Sequence, residues 1–298
     1  VPANRAASER GDTAEKAMQY LESEAGNRLN RERAEAFLAN CNAAIEFLEA
    51  NSPVRFTAQP AWSDYHPDSP GAAADLRGLL PEVFDGRRLG KRFAELMPPL
   101  RSMMLFGGMM VGREDLPHLF NIRSSPRSAL YCARIFARYL VDRLRYPRGT
   151  RLANGNGLIA ALATAAFEKG IDLWLSSPLT RLTVENGAIT GAIVRKSGED
   201  IEIRAGKAVV LACGGFPWND ELRARYFPDV AAGKKHVSAA PRGNAGDGIR
   251  LAMEAGAIFD DSASNAAAWT PISLVPQKSG PPVPFPHFID RAKPGVIV

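Results

Sequence analysis

The chain has 298 residues, 46% of them hydrophobic and 23% charged, enough for two folded units with a sizeable core and too apolar for a disordered polypeptide. The net charge is +5, and eight of the arginines fall between Arg123 and Arg151. They punctuate an amphipathic helical pattern, so they read as a solvated face rather than a nucleic-acid footprint, with attraction of an anionic cofactor or substrate as the alternative.

No apolar run reaches membrane-spanning length, and no secretory signal pattern opens the sequence. Cys41, Cys132 and Cys213 each sit in an apolar pattern, which predicts buried free thiols and a reducing cytoplasm. The four histidines have no zinc-ligand spacing.

In chain order, Val1 to Gly11 reads as an irregular tail. Asp12 is the predicted cap of a helix, with Glu15 in the capping-box position and Gly26 as its stop. A second helix is predicted from Arg31 to Ala50, with Ala34, Phe37, Leu38, Cys41, Ile45 and Leu48 on its apolar face. Val54 to Phe56 reads as a short strand. Gln59 to Gly90 is loop-rich, and long loops in compact domains are usually functional or mobile. Tyr65 and His66 lie on it and suit acid, base or substrate contact, or plain packing.

Leu89 to Met97 reads as a short helix. Met103 to Val111 is a glycine-broken apolar patch suited to a core or to a flat apolar ligand. Ser128 to Arg145 is a predicted helix whose apolar face is Ala129, Ala133, Phe136, Ala137, Leu140 and Leu144. Gly155 to Lys169 is another.

An antiparallel meander follows. Its strands are Ile171 to Leu175, Leu179 to Glu185, Ala188 to Lys196 and Ile201 to Ile203, with Asn186-Gly187 and Ser197-Gly198 at the turns. Ala208 to Ala212 reads as a buried central strand running into Gly214-Gly215. Gly246-Asp247-Gly248 opens a helix that Gly256 stops. Paired glycines at a strand end and an open helix start let a nucleotide cofactor approach the main chain. The same residues also serve as a plain turn and a plain cap. Ile258-Phe259 reads as a short strand. Trp269 to Pro271 and Phe285 to Phe288 read as proline-rich loops. Pro294 to Val298 reads as a strand cut in mid-course.

Taken together, Gly155-Asn-Gly-Leu158, Ser177-Pro-Leu-Thr-Arg-Leu182, Asn186-Gly187, Ala212-Cys-Gly-Gly-Phe216 and Gly246-Asp-Gly-Ile249 occur in an order and spacing similar to the flavoproteins of the fumarate reductase, succinate dehydrogenase and 3-ketosteroid dehydrogenase superfamily. Asp64-Tyr-His-Pro-Asp-Ser-Pro-Gly71 and the segment from Phe285 to Val298 most resemble its 3-ketosteroid Δ1-dehydrogenase branch. The resemblance implies FAD as cofactor. It places Leu179 by the adenine, and Ala212, Gly214 and Gly215 along the dinucleotide. Gly246 and Asp247 fall near the flavin, and Asn4 ends a segment passing the flavin ring. Tyr65 is the implied acid/base or proton relay, and Arg291 aligns with an active-site arginine of the fumarate reductases. Trp269-Thr270-Pro271 replaces the His-Pro-Thr of those reductases, which argues for a bulkier, less charged substrate than fumarate.

The family's opening G-x-G-x-x-G turn does not occur, and no tyrosine follows Tyr226. The chain therefore reads as an internal fragment of a flavin-dependent dehydrogenase acting beside a ring ketone, inactive alone. The alternatives are a fumarate-reductase-type enzyme on a small dicarboxylate and a non-redox module for a hydrophobic ligand or partner.

The expected fold is α+β: a helical cap-like part packed on an incomplete FAD-binding domain of the glutathione-reductase type, with an antiparallel β-meander. The expected divisions are 1–150, 151–260 and 261–298. The expected partner is a small hydrophobic substrate, with no nucleic acid and no membrane span. Self-association through cut sheet edges is a further expectation.

Overall fold

The computed structural model describes residues 1–234, 236–262, 266–267, 269–277 and 280–287. They fall into two compact units, Val1–Asp172 and residues from Leu173 onward.

The first unit opens with α1 (Arg5–Ser8), so the expected tail is ordered. Next comes α2 (Ala14–Ala25), capped by Thr13, whose side chain accepts the Lys16 amide. Asp12, the predicted cap, is taken instead by Arg77. An ion pair with a buried guanidinium outweighs a cap bond that a neighbouring threonine can supply. Gly26 ends α2 at φ 51°, as its lack of a Cβ predicts. In α3 (Arg31–Asn51) the expected face is inward at Ala34 and Cys41, while Phe37 is exposed.

β1 (Phe56–Ala58) pairs antiparallel with β2 (Leu79–Pro81), with Phe56 opposite Pro81. The strand starts two residues later than the sequence suggests because Val54 is spent in the core. β3 (Phe84–Asp85) leads into 3-10 turns from Gly86 to Glu95, broken at Gly90, where a regular helix was expected. β4 (Met104–Leu105) and β5 (Met109–Met110) form a tight hairpin through Phe106 and Gly107, both at positive φ. It buries Met109 and Met110 and leaves Met103, Leu105 and Phe106 exposed, so the patch from Met103 to Val111 is split between core and surface.

α4 (Leu116–Phe120) and α5 (Pro126–Asp142) follow. β6 (Arg151–Leu152) pairs with β3, and α6 (Asn154–Glu168) completes the unit. The main core gathers Val54, Phe84, Phe93, Leu152 and Ala160.

α5 is turned over relative to its pattern. Its buried residues are Ser128, Cys132, Ile135, Tyr139 and Asp142, while Leu140 is 52% and Leu144 82% exposed. The buried face is the one with polar partners inside. Asp142 Oδ2 accepts the Thr150 amide at 2.8 Å and its hydroxyl at 2.7 Å. Tyr139 donates to the Phe106 carbonyl at 2.8 Å. Hydrophobic periodicity alone does not weigh such bonds.

The second unit holds the meander as predicted. β7 (Leu179–Glu185), β8 (Ala188–Lys196) and β9 (Glu199–Arg204) form a three-stranded antiparallel sheet. Both central residues of each turn have positive φ: Asn186 and Gly187, then Ser197 and Gly198. Residues 171–175 do not form the expected first strand; the Trp174 ring instead lies under the Lys196 ammonium at 3.7 Å.

Ala208 to Ala212 forms no strand, and Val210 is 85% exposed. A strand needs a neighbour, and none among the described residues runs beside it. For the same reason Ile258-Phe259 is no strand, and Ile258 is fully outside. Cys213 on this run is exposed, against expectation, whereas Cys41 and Cys132 are buried. Under native conditions a thiol-directed alkylating reagent should therefore label Cys213 well ahead of the other two. Peptide mapping by mass spectrometry checks this.

α7 (Asp220–Tyr226), α8 (Pro228–Ala231) and α9 (Asp247–Glu254) follow, and α9 packs against β7. β10 (Ile272–Val275) pairs with β11 (Val283–Pro286) where the prolines suggested only loops. A two-stranded ribbon is all edge, so Pro284 and Pro286 are tolerated there. The expected strand Pro294 to Val298 lies outside the described residues. No helix among them is long and apolar enough to cross a membrane.

Candidate functional site

In the second unit the glycines singled out in the sequence come together. The Gly246 amide donates to the Gly215 carbonyl at 3.2 Å, joining the turn after Ala212 to the start of α9. Gly214 has φ +75° and Gly246 has φ +84°. A Cβ on Gly214 would stand 2.7 Å from the Asn244 amide, and one on Gly246 would stand 2.8 Å from Leu222 Cδ1. The positive φ disfavours a side chain at either position, and a Cβ would also displace the end of the Asn244 or Leu222 side chain. Gly215 differs: a Cβ there would meet nothing nearer than Pro217 Cδ at 3.8 Å, so the space where a side chain would go is open.

No side chain caps α9, which starts at Asp247. Its first amides therefore lack acceptors inside the helix. Trp218 and Asn219 brace the turn. Trp218 Nε1 donates to the Ala240 carbonyl at 2.7 Å, and Asn219 Nδ2 to the Ala245 carbonyl at 3.0 Å.

Gly215 also borders a cavity of about 650 Å³. Four rings meet in its wall, none of them chosen from the sequence as a site. Phe227 packs on Phe216 at 5.5 Å, His236 at 4.9 Å and Trp269 at 5.1 Å between centroids. The signal that could have found them is the concentration of aromatic residues between Phe216 and Trp269. Burial, then the nearby Arg223 guanidinium, holds His236 below the usual imidazole range, so this wall is uncharged at neutral pH. Asp229, also in the lining, is paired with Lys234 at 2.9 Å.

These residues fit one wall of a flavin dinucleotide site: an open glycine main chain, an uncapped helix start and an apolar ring-lined cavity beside them. Leu179 starts β7, the strand on which α9 packs, and Ala212 lies two residues before Gly214.

Asn4 and Tyr65 belong to the first unit. The Asn4 side chain is fully engaged inside the protein. Its Oδ1 accepts the Ala7 amide at 3.2 Å, and its Nδ2 donates to the Leu76 carbonyl at 2.7 Å. Tyr65 sits on the loop Asp64–Gly71 with its side chain 66% exposed. The loop is braced at both ends. Arg77 donates to Asp64 Oδ2 at 2.7 Å, to the Gly71 carbonyl at 2.9 Å and to Asp12 Oδ1 at 2.6 Å. Ser69 Oγ donates to Glu24 at 2.8 Å, and His66 is bonded to the same carboxylate. Arg77 was not read from the sequence, because its two carboxylates lie 65 and 13 positions away. The predicted Arg291 lies outside the described residues. No cluster of metal-binding side chains occurs among those described.

Comparison with known proteins shows what the chain as a whole is similar to. The chain is 34% identical over its whole length to 4-oxocyclohex-2-ene-1-carboxylate 5-dehydrogenase of Sinomonas cyclohexanicum, covering 50% of that protein. It is 31% identical over its whole length to 3-oxosteroid 1-dehydrogenase of Mycobacterium tuberculosis, covering 52% of it. The crystal structure of 3-ketosteroid Δ1-dehydrogenase from Sterolibacterium denitrificans, in complex with 1,4-androstadiene-3,17-dione, superposes with a TM-score of 0.79 at 27% identity. That match covers 95% of this chain and 50% of the other. The chain thus spans about half the length of the curated relatives it matches. The FAD binding domain model matches residues 1–298, and the chain belongs to that family.

Proposed function

We propose that this chain is part of an FAD-dependent dehydrogenase that removes hydrogen from a carbon–carbon bond next to a ring ketone. The observation that carries the reading is the cavity walled by Gly215 and the Phe216, Phe227, His236 and Trp269 rings. When bound, FAD supplies a hydride acceptor. The glycine turn and the amides at the start of α9 hold one side of it. The four rings hold a flat apolar substrate by stacking and exclude water from it. By the resemblance of its loop to that of the ketosteroid dehydrogenases, Tyr65 is the proposed acid/base or proton-relay residue. The Arg77 ion pairs fix the loop that presents it.

Trp269 favours a ketone over a small dicarboxylate, because an uncharged aromatic wall gives two carboxylates no counter-charge. Leu179, Ala212, Gly214, Gly246 and Asp247 border the cofactor in this reading. Asn4 ends the segment that would pass the flavin ring, and Arg291 is the counterpart of an active-site arginine of the fumarate reductases. The two buried thiols suit a cytoplasmic setting. The expected division of labour is a first part, 1–150, carrying the Tyr65 loop, then cofactor-bordering residues 151–260 and a substrate segment from 261.

The test is a thermal shift of the purified chain in excess FAD. 1,4-Androstadiene-3,17-dione should raise the melting temperature, and fumarate should not. A rise with fumarate alone would replace the ketone reading with the dicarboxylate one. The chain with FAD and an artificial electron acceptor should show no ketone dehydrogenation, and steady turnover would contradict its being a part of a larger catalyst.

A further inference from the structure

α5 buries one face and carries an apolar stripe on the opposite, exposed face. One face is the buried row from Ser128 to Asp142. The other carries Leu130, Leu140, Val141 and Leu144, which are 73%, 52%, 64% and 82% exposed. The small Ala133 and Ala137 lie between them, both exposed. Turning 100° per residue puts Leu130, Ala133, Ala137, Leu140 and Val141 within one third of the helix circumference, and Leu144 follows in the turn just after the helix. The apolar surface continues beyond the helix. Phe136 packs on Phe106 at 5.1 Å, and Phe106 is 70% exposed. The apolar stripe of a helix is ordinarily the face that packs against something. Contiguous exposed apolar surface of this kind marks an interaction site.

A row of arginines borders the stripe. Arg127 and Arg134 fall on one side of it, and Arg143 and Arg145 lie just beyond the helix end; all four are exposed. None makes an ion pair with a carboxylate among the described residues, whereas Arg138, which faces inward from the same row, is paired with Asp85 at 2.8 Å. Unpaired guanidinium groups around an apolar stripe call for carboxylates on whatever covers it. An antiparallel isologous contact with a second copy would bring the same arginine row against itself, which is repulsive.

We propose that the outward face of α5 docks a polypeptide segment with an apolar ridge flanked by Asp and Glu. Its source is polypeptide outside these 298 residues. The relatives have room for it, since the chain covers 50% and 52% of their lengths. Leu140, Val141 and Leu144 are the centre of the contact, Ala133 and Ala137 admit close approach, and the arginines set its orientation.

The experiment titrates the purified chain with two synthetic amphipathic helical peptides. They share one Leu/Ala ridge and differ only in flanks, Glu in one and Lys in the other. The expected result is saturable binding of the Glu-flanked peptide, weakened by salt, and at least tenfold weaker binding of the Lys-flanked one. The double variant Leu140→Glu, Leu144→Glu changes two exposed positions, so its circular dichroism and melting temperature should match the parent while binding of the Glu-flanked peptide is lost.

Equal binding of both peptides, or full binding by the double variant, would overturn the proposal. So would concentration-dependent dimerisation of the parent that the double variant abolishes, since the occupant would then be a second copy. Binding of phosphatidylglycerol vesicles with neither peptide bound would overturn it in favour of a membrane surface.

Discussion

Arg77→Met should destabilise the first unit by about 3–5 kcal/mol, the usual range for breaking a buried ion pair from one side. The Arg77 side chain is 7% exposed, Asp12 is 7% and Asp64 is 18%. The substitution strands two carboxylates away from water and removes the donor to the Gly71 carbonyl. Urea unfolding followed by circular dichroism measures the loss. The triple variant Arg77→Met, Asp12→Leu, Asp64→Leu should recover much of it, because apolar groups of similar size replace a desolvated pair at little net cost. If the single variant unfolds with the parent, the pair does not hold the Tyr65 loop.

The same pair predicts an acid limb. Burial pushes the Asp12 carboxyl up, but hydrogen bonds from Arg77 and the Ala3 amide outweigh it and hold Asp12 below the ordinary value. A carboxyl held low in the folded state contributes stability that is present above its unfolded pKa, about 4. That stability is lost as pH falls through the lower folded value. Parent stability should therefore drop from roughly pH 4 downward, and the drop should be smaller in Arg77→Met, where less of it remains to lose.

The second large effect is expected at Asp115, which has no solvent exposure. It accepts the Gly112 amide at 2.7 Å, the Tyr131 hydroxyl at 2.6 Å, and Arg151 at 2.7 and 2.9 Å through its two terminal nitrogens. Asp115→Ala removes four acceptor contacts and leaves the Arg151 guanidinium, 15% exposed, with only the more exposed Glu114. A loss of about 3–5 kcal/mol is expected. Tyr131 reports the change independently. Burial, then its bond to Asp115, holds its phenol up to about 12. Without Asp115 the ultraviolet tyrosinate titration should shift down toward the ordinary value, about 10. An unmoved Tyr131 would mean that burial alone sets it.

Local chemistry made part of this fold legible in the sequence. Asn186-Gly187 and Ser197-Gly198 each demand two consecutive positive φ values, and the meander formed on them with its predicted turns. Gly26 and Gly256 stopped their helices for the same reason. What stayed hidden depends on partners distant in sequence. The face α5 buries was decided by Thr150 and the Phe106 carbonyl. The cap of α2 was decided by Arg77. The run from Ala208 to Ala212 has strand composition, but composition cannot supply the neighbour a strand requires.

The candidate site divides the same way. Gly214, Gly215, Gly246 and Asp247 were visible as a motif, and one hydrogen bond joins their two stretches. The ring wall was not visible, because Phe216, Phe227, His236 and Trp269 meet only after three short segments fold over one another.

The assignment of the glycine wall to the flavin is tested most directly by an FAD titration of the purified chain beside its Gly215→Leu variant, followed by flavin fluorescence. Gly215 has open space where a side chain would go, so leucine should leave the fold intact while filling the wall of the site. Saturable binding by the parent and at least tenfold weaker binding by the variant are expected. Absence of saturation in the parent, or equal affinity in the variant, would contradict the assignment.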